Sequence, residues 1–353
     1  MGKPIRFGII GAGMIANIHA DALRRCEMAG LVGVMDNGSG KGKQIAPECD
    51  ATGSDHLQTF INRHDIDAIT IASPSGAHLE AGLLAARAGK HCLAEKPLEI
   101  TVERCRALID AHESAGTTLG GIFNTRYTDG AKLLKAAVEA GRFGKLTFAS
   151  AIGPWWRDQG YYDSSSWKGT WALDGGGALM NQGIHSVDLL QWLVGERVTA
   201  VNGRIATLAH ERIEVEDTGS AQIQFESGAL GTIACTTSMW PGHFRTITIS
   251  GTDGTVVLAD GNLLVWQFKE ETRADHELRK RLLKLPGEGV GASDPSAGID
   301  SDGHLAVIEE FVSAIDAGQC PTVDGVEAMK AVAIIRAVYE SSHNNAETVQ
   351  PQY

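Results

Sequence analysis

The segment Gly8-Ile9-Ile10-Gly11-Ala12-Gly13-Met14-Ile15-Ala16 sets Gly11, Gly13 and Ala16 in the spacing G-x-G-x-x-A. It follows an apolar run, Ile5 to Ile10, and opens a stretch of helical periodicity from Ile15 to Met28. A pyrophosphate held by backbone N–H groups needs this pattern. Gly11 permits the tight turn, Gly13 lets the backbone approach the phosphates, and Ala16 lets helix and strand pack closely. The phosphates would sit at the helix N-terminus, by Met14 and Ile15, where free N–H groups and the dipole favour anions. Asp36 ends the second apolar run, where a carboxylate can accept from both adenosine ribose hydroxyls. An acid there repels a 2′-phosphate, so NAD is expected over NADP, against the pull of Lys41 and Lys43 close by in sequence.

The second candidate is Ala94-Glu95-Lys96-Pro97, at the end of the fourth apolar run. Ligands of open α/β sheets bind beyond the carboxyl ends of the strands, so Glu95 and Lys96 are expected to face the nicotinamide end of the cofactor. A lysine there can hydrogen-bond a substrate hydroxyl and ease its ionisation. Ser73-Pro74-Ser75-Gly76-Ala77-His78, after the third run, is a comparable loop. Ser73 and His78 are candidates to line the cofactor, and a plain turn with a helix start reads equally well.

The densest stretch runs from Trp155 through Trp156, Arg157, Tyr161, Tyr162, Trp167 and Lys168 to Trp171. A hydrophobic core would scatter such rings, whereas sugar-binding clefts collect aromatic faces beside polar groups. Trp156, Arg157, Tyr161, Trp167 and Lys168 are therefore expected to line a substrate cleft. Gly175-Gly176-Gly177 then precedes Asn181-Gln182-Gly183-Ile184-His185 and Asp188. A helix over 178–194 would put Asn181, His185 and Asp188 on one face.

These groups need a frame. Residues 5–122 alternate short apolar runs with helical patterns, which predicts a parallel sheet with helices on both faces. Thr101 is a fair N-cap for a helix to Ala115, and Gly116 is a stop signal. Beyond about residue 125 the strand candidates come in succession: 147–152, 198–206, 219–226, 229–236, 246–250, 255–259 and 263–268. That predicts an α+β domain with a large, mostly antiparallel sheet over 126–353, after a Rossmann domain over 1–125. Segment 270–303 reads as a surface excursion, and 305–317 and 326–341 as amphipathic helices.

Composition narrows the function. The chain has 353 residues and a net charge of −12 without a basic block, which argues against nucleic acid. No run of 18 apolar residues occurs, so no membrane span is expected. The scattered Cys26, Cys49, Cys92, Cys105, Cys235 and Cys320 suit reduced thiols in a cytoplasm rather than disulfides or zinc. His210, Glu211, Glu214 and Glu216 read as a solvated polar stretch, and no metal is expected.

Together the glycine turn, Glu95-Lys96-Pro97, Gly141-Arg142-Phe143-Gly144-Lys145-Leu146 and the Gly175-Gly176-Gly177…His185…Asp188 block resemble the glucose–fructose oxidoreductase / inositol dehydrogenase (Gfo/Idh/MocA) family. The resemblance implies a Rossmann domain, a sheet domain that commonly serves oligomerisation, and NAD(P)-linked oxidation or reduction of a secondary alcohol on a sugar or cyclitol. A homodimer or homotetramer is expected. Lys96 and His185 match the family's catalytic lysine and histidine. The chain departs at Asn181, where many members carry Asp: an amide exchanges hydrogen bonds but cannot stabilise an imidazolium by charge. The Asn181-to-His185 stretch is similar to the subset acting on nucleotide-linked sugar acids at C3, and relatives oxidising free sugars or glycosides look similar too.

The implied chemistry takes a proton and a hydride from one carbinol. His185 is the candidate base, and Lys96 would orient the oxygen and stabilise a developing alkoxide. Asn181 would bind substrate beside them. Two other readings stay open: a glycosidase that oxidises C3 transiently with tightly bound NAD, and a regulatory protein that holds NAD without turnover. Asp36 yields the first test. NAD should bind at least about tenfold more tightly than NADP, since an unpaired like-charge contact costs more than about 1.4 kcal/mol. A titration giving equal or better NADP affinity removes Asp36 from the ribose site.

Overall fold

The computed structural model describes residues 3–36, 38–47, 56–282 and 301–353. In chain order it begins with β1 (Ile5–Ile10), α1 (Met14–Arg25), β2 (Ala29–Met35), α2 (Gly42–Ile45) and α3 (Leu57–Ile61). Next come β3 (Ala68–Ile71), α4 (His78–Arg87), β4 (His91–Ala94), α5 (Val102–Ala115) and β5 (Leu119–Gly121). They are followed by α6 (Asp129–Glu139), β6 (Leu146–Pro154), α7 (Gln159–Asp163) and α8 (Ile184–Val194). The strands β7 (Val198–Ala206), β8 (Thr218–Phe225), β9 (Leu230–Thr236), β10 (Thr246–Gly251), β11 (Gly254–Ala259) and β12 (Asn262–Phe268) come in succession. The helices α9 (Arg273–Leu282), α10 (Asp302–Ala317) and α11 (Gly325–His343) complete the order.

Two compact units result, Met1–Asn124 with Ile299–Val332, and Thr125–Gly298 with Ala333–Tyr353. The first carries a parallel sheet in the order β2-β1-β3-β4-β5. Its central strands β3 and β4 are buried on both faces, as their apolar runs require, while the edge strand β2 is largely half-buried. Thr101 caps α5 by accepting from the Arg104 amide, and Gly116 ends it in the left-handed region at φ +67°.

The units divide at Asn124/Thr125, and the first also takes in Ile299–Val332. Helix α10 belongs to the first unit, where Phe311 is buried with its ring 6.4 Å from that of Phe7. Arg25 of α1 pairs with Asp302 at 2.7 Å. An amphipathic pattern shows that a helix has a core face, but not which core that face will meet.

The second unit holds a sheet in the order β12-β11-β10-β6-β9-β8-β7, antiparallel except where β6 runs beside β9. All seven expected strands are present within a few residues. Burial alternates along β8 and β9, so one face carries Ala221, Ile223, Phe225, Ile233 and Cys235 into the core, where the segment Ala178–Gly183 packs on β8 and β9 and α8 packs on β6 and β10. In the expected excursion 270–303, α9 forms over Arg273–Leu282, and 283–300 lie outside the described residues. Among the described residues Cys26, Cys92, Cys105 and Cys235 are buried free thiols, Cys320 is an exposed one, and no helix is long and apolar enough to cross a membrane. Cys49 lies outside them.

Candidate functional site

In the first unit the parallel register places one end of three strands side by side: Ile10 pairs with Ile71, and Ile71 with Ala94. Gly11, Ala72 and Glu95 therefore start three neighbouring loops on one rim. Gly11 has φ +103°, and a Cβ there would lie 2.6 Å from the Ala72 carbonyl, so only glycine fits. Gly13 precedes α1, and a Cβ on it would meet nothing within 4 Å. That is the space a pyrophosphate needs above the N-terminal amides. Ala16 is fully buried, Met14 is exposed and Ile15 half-buried at the mouth of the helix.

Asp36 is buried and accepts from the amides of Gly42 and Gly38, each at 2.7 Å. Those hydrogen bonds, the Gly42 amide foremost, hold its carboxyl below the usual range, so the charge that disfavours a 2′-phosphate is present at neutral pH. Lys41 and Lys43 are exposed nearby. Ser73 Oγ is buried and has no hydrogen-bond partner among the described residues. The open Gly13, the orphaned Ser73 hydroxyl and the ionised Asp36 fit a dinucleotide.

Two other expected cofactor contacts are spent within the protein. His78 is buried with Nδ1 3.0 Å from the Pro97 carbonyl and Nε2 3.1 Å from the Ser73 carbonyl, so it ties one loop to the next. Glu95 is buried too: Oε1 meets His19 Nε2 at 2.9 Å and His304 Nε2 at 3.0 Å, and Oε2 accepts from the Lys96 amide. His19 and His304 are absent from the sequence expectations, because a lone histidine on an apolar helix carries no local signal.

The second unit assembles a polar row. Arg157 Nη2 donates to Gln182 Oε1 at 2.9 Å, and Gln182 Nε2 to Asn181 Oδ1 at 2.7 Å and to the Tyr161 hydroxyl at 2.9 Å. Asn181 Nδ2 donates to Asp174 Oδ1, and Asp174 Oδ2 accepts from the Gly169 amide at 2.8 Å. Lys168 Nζ lies 4.0 Å from the centre of the Tyr161 ring, and Trp156 stands edge-to-face with exposed Trp240. Trp156, Tyr161, Trp167, Lys168, Asn181 and His185 are all half-buried. Burial pushes the Tyr161 phenol well up and that of Tyr162 to about 12, so neither is a base at neutral pH. Burial lowers Lys168, with Asp174 opposing it.

Several expectations change here. Arg157 is buried at 3% exposure rather than half-buried, with its guanidinium on the Trp156 carbonyl and Gln182, where it supports the row. The helix over 178–194 is divided: a π-helical turn covers Ala178–Gly183, and α8 starts at Ile184. Asp188 is fully buried, bound by both arms of Arg126. His210 and Glu216 are buried as well, not solvated; His210 bridges Asp217 and the Arg157 carbonyl. Asp174 and Gln182 are the missed members of the site. The missing Asp at 181 is answered by Asp174, one hydrogen bond behind the amide.

Glu216 anchors the π-turn: it accepts from the Gly177 amide at 3.0 Å, the Leu179 amide at 2.8 Å and the Tyr339 hydroxyl at 2.9 Å. A Cβ on Gly177 would overlap the Glu216 carbonyl, which explains a glycine there. Burial outweighs the three donors and raises the carboxyl to about 7. A folded-state pKa above the ordinary 4.5 means that folding favours the protonated acid. That contribution is full below pH 4.5 and lost as pH rises through about 7. Glu216→Gln should flatten the fall in stability between about pH 5 and about pH 8, removing a loss on the order of 3 kcal/mol. Denaturant unfolding at the two pH values reads this, and an unchanged slope in the variant assigns the fall to other groups.

Comparison with known proteins agrees with this frame. Residues 5–122 match the oxidoreductase family with an NAD-binding Rossmann fold, and residues 131–257 match the Gfo/Idh/MocA C-terminal domain. Levoglucosan dehydrogenase of Pseudarthrobacter phenanthrenivorans is 28% identical, over 84% of this chain and 83% of its own. Inositol 2-dehydrogenase of Rhizobium meliloti is 28% identical, over 96% of both. The WlbA dehydrogenase of Bordetella pertussis, solved with NADH and UDP-GlcNAcA, superposes at a TM-score of 0.88 with 31% identity, over 100% of this chain and 99% of that one. With both of its domain models matched in order and a whole-chain relative above 30% identity, the chain belongs to the Gfo/Idh/MocA family of NAD-binding oxidoreductases.

Proposed function

We propose that the protein oxidises a secondary hydroxyl of a sugar, sugar derivative or cyclitol to a ketone, with Lys96 and His185 as the catalytic pair. The observation that carries this reading is the placement of Lys96. It stands two residues past the end of β4, on the same rim as the Gly11–Gly13 turn and the orphaned Ser73 hydroxyl. NAD, when bound, supplies the hydride acceptor. Lys96 donates a charge-assisted hydrogen bond to the reacting oxygen and stabilises negative charge as it develops there. His185, half-buried in the first turn of α8, takes the hydroxyl proton. Proton to the imidazole and hydride to the acceptor leave the carbonyl, so charge and electrons balance. Asn181, tied to Asp174 and Gln182, presents an amide of fixed orientation to a neighbouring substrate hydroxyl.

The first substrates to try are those borne by the relatives: UDP-GlcNAcA, levoglucosan and myo-inositol, with NADH formation as the readout. Net NADH from any of them speaks against a glycosidase that restores its cofactor and against a silent NAD binder. Lys96→Ala and His185→Ala should each lower kcat by about 10²–10⁴. The double variant should be far less than multiplicatively worse, because both groups serve one proton transfer. NAD affinity should hold, since the Gly11–Gly13 turn and Asp36 are untouched. Near-normal turnover by His185→Ala would move the base elsewhere.

The second unit favours a homo-oligomer. Phe148 and Leu230, register partners on β6 and β9, are 43% and 58% exposed on the open side of the sheet. Light scattering at micromolar concentration should return a dimer or tetramer mass, and a stable monomer contradicts the reading.

A further inference from the structure

His19, Glu95 and His304 form a buried cluster in the first unit, directly behind Lys96. His19 is fully buried on α1, with Nε2 2.9 Å from Glu95 Oε1 and Nδ1 2.8 Å from the Thr70 hydroxyl. His304, 4% exposed on α10, reaches the same oxygen with Nε2 at 3.0 Å, and its Nδ1 has no hydrogen-bond partner among the described residues. A carboxylate oxygen can only accept, so both imidazoles donate Nε2–H, and His19 Nδ1 is left to accept from Thr70. Two ring N–H groups thus converge on one carboxylate oxygen. Burial opposes the charge on Glu95, but hydrogen bonds from His19 and His304 keep it well below the usual carboxylate range. Burial correspondingly lowers His19, with Glu95 pulling the other way.

The remaining Glu95 oxygen accepts from the Lys96 amide at 3.1 Å. On the far side of that residue, the Pro97 carbonyl is met by His78. The backbone of Lys96 is thus clamped from both ends. We propose that Glu95 is the positioning residue for Lys96, oriented by the paired donors His19 and His304. The inference rests on the reading of Lys96 as a catalytic residue. It also gives α10 a role: the helix that joins the first unit from late in the chain delivers His304 to the turn that aims the lysine. A His2Glu set is also a donor set for zinc, and the three ligand atoms lie within 4.8 Å of one another. The two oxygen–nitrogen separations are those of N–H···O bonds, and the Thr70 contact suits a neutral ring, so the hydrogen-bonded reading is favoured.

The test uses the full chain and whichever of UDP-GlcNAcA, levoglucosan or myo-inositol gives the highest kcat/KM. His304→Leu removes a donor and His304→Gln keeps one. The first should lower kcat about 10²-fold, as misplacement of a reacting group does. The second should recover most of that loss, with KM for NAD held within about threefold in both. Glu95→Gln should lower kcat in the unaltered background and cause little further loss beside Lys96→Ala. Unchanged kcat in a folded His304→Leu, or a full multiplicative loss beside Lys96→Ala, overturns the proposal. If Lys96→Ala itself keeps normal kcat, the catalytic reading has failed, and that result is separate from the effect of His304. Should His304→Leu not fold, long-range nitrogen–proton spectra of the unaltered protein decide: protonated Nε2 with bare Nδ1 on both rings is required. A protonated His304 Nδ1, or stoichiometric uptake of Zn²⁺ that His304→Gln abolishes, overturns it.

Discussion

A carboxyl group taken out of water must be met by donors, and among the described residues several buried acids meet them in loops that have to be still. Asp36 gathers the amides of its own turn, Glu95 the amide of Lys96, Asp174 the amide of Gly169 and the side chain of Asn181. Glu216 gathers two amides of the π-turn and the Tyr339 hydroxyl. Glu99 does the same beside the Lys96-Pro97 turn, accepting from Leu79, Ile100 and both arms of Arg104. Segments without a ladder of their own are thereby given fixed coordinates. Hydride transfer needs that, because its rate depends on sub-ångström placement of the reacting atoms.

The same constraint explains the chemistry of the polar row. An amide at 181 looks like the loss of a charge when only the residue types are compared. Asp174 lies behind it as a buried acceptor, so the carboxylate stands one hydrogen bond away, and the amide is held between Asp174 and Gln182. Arg157 enters the row from the other end through Gln182, with its ring contacts to Trp155 and Tyr161 holding it in place. The aromatic residues of this stretch wall in the cations that order it, Arg157 over Trp155 and Tyr161 and Lys168 over Tyr161.

Where local pattern and local function coincide, the sequence is a good guide. The glycine turn, the Thr101 cap, the Gly116 stop and the seven later strands each follow from backbone preference and short-range periodicity, and each is present. Patterns that fit two outcomes mislead. Residues 178–194 keep a helical apolar rhythm, but the Glu216 anchor and close-packed Gly177 draw the first turn into a π-helix, which shifts the phase of Asn181. His78 and Glu95 lie beyond the ends of β3 and β4 and spend their polar atoms within the protein, His78 on backbone carbonyls and Glu95 on His19, His304 and the Lys96 amide.

Backbone dihedral preference and the period of apolar residues act over a few residues, so fold class, the dinucleotide turn and the lysine at the rim are written locally. Partner choice is not local. His304 meets Glu95 across 209 positions, Tyr339 meets Glu216 across 123, and Arg126 meets Asp188 across 62. A histidine, a tyrosine or an arginine has the same sequence neighbourhood whether it faces water or a buried acid. Only the packing of distant segments around one core settles which polar groups lose their water, and therefore which must find each other.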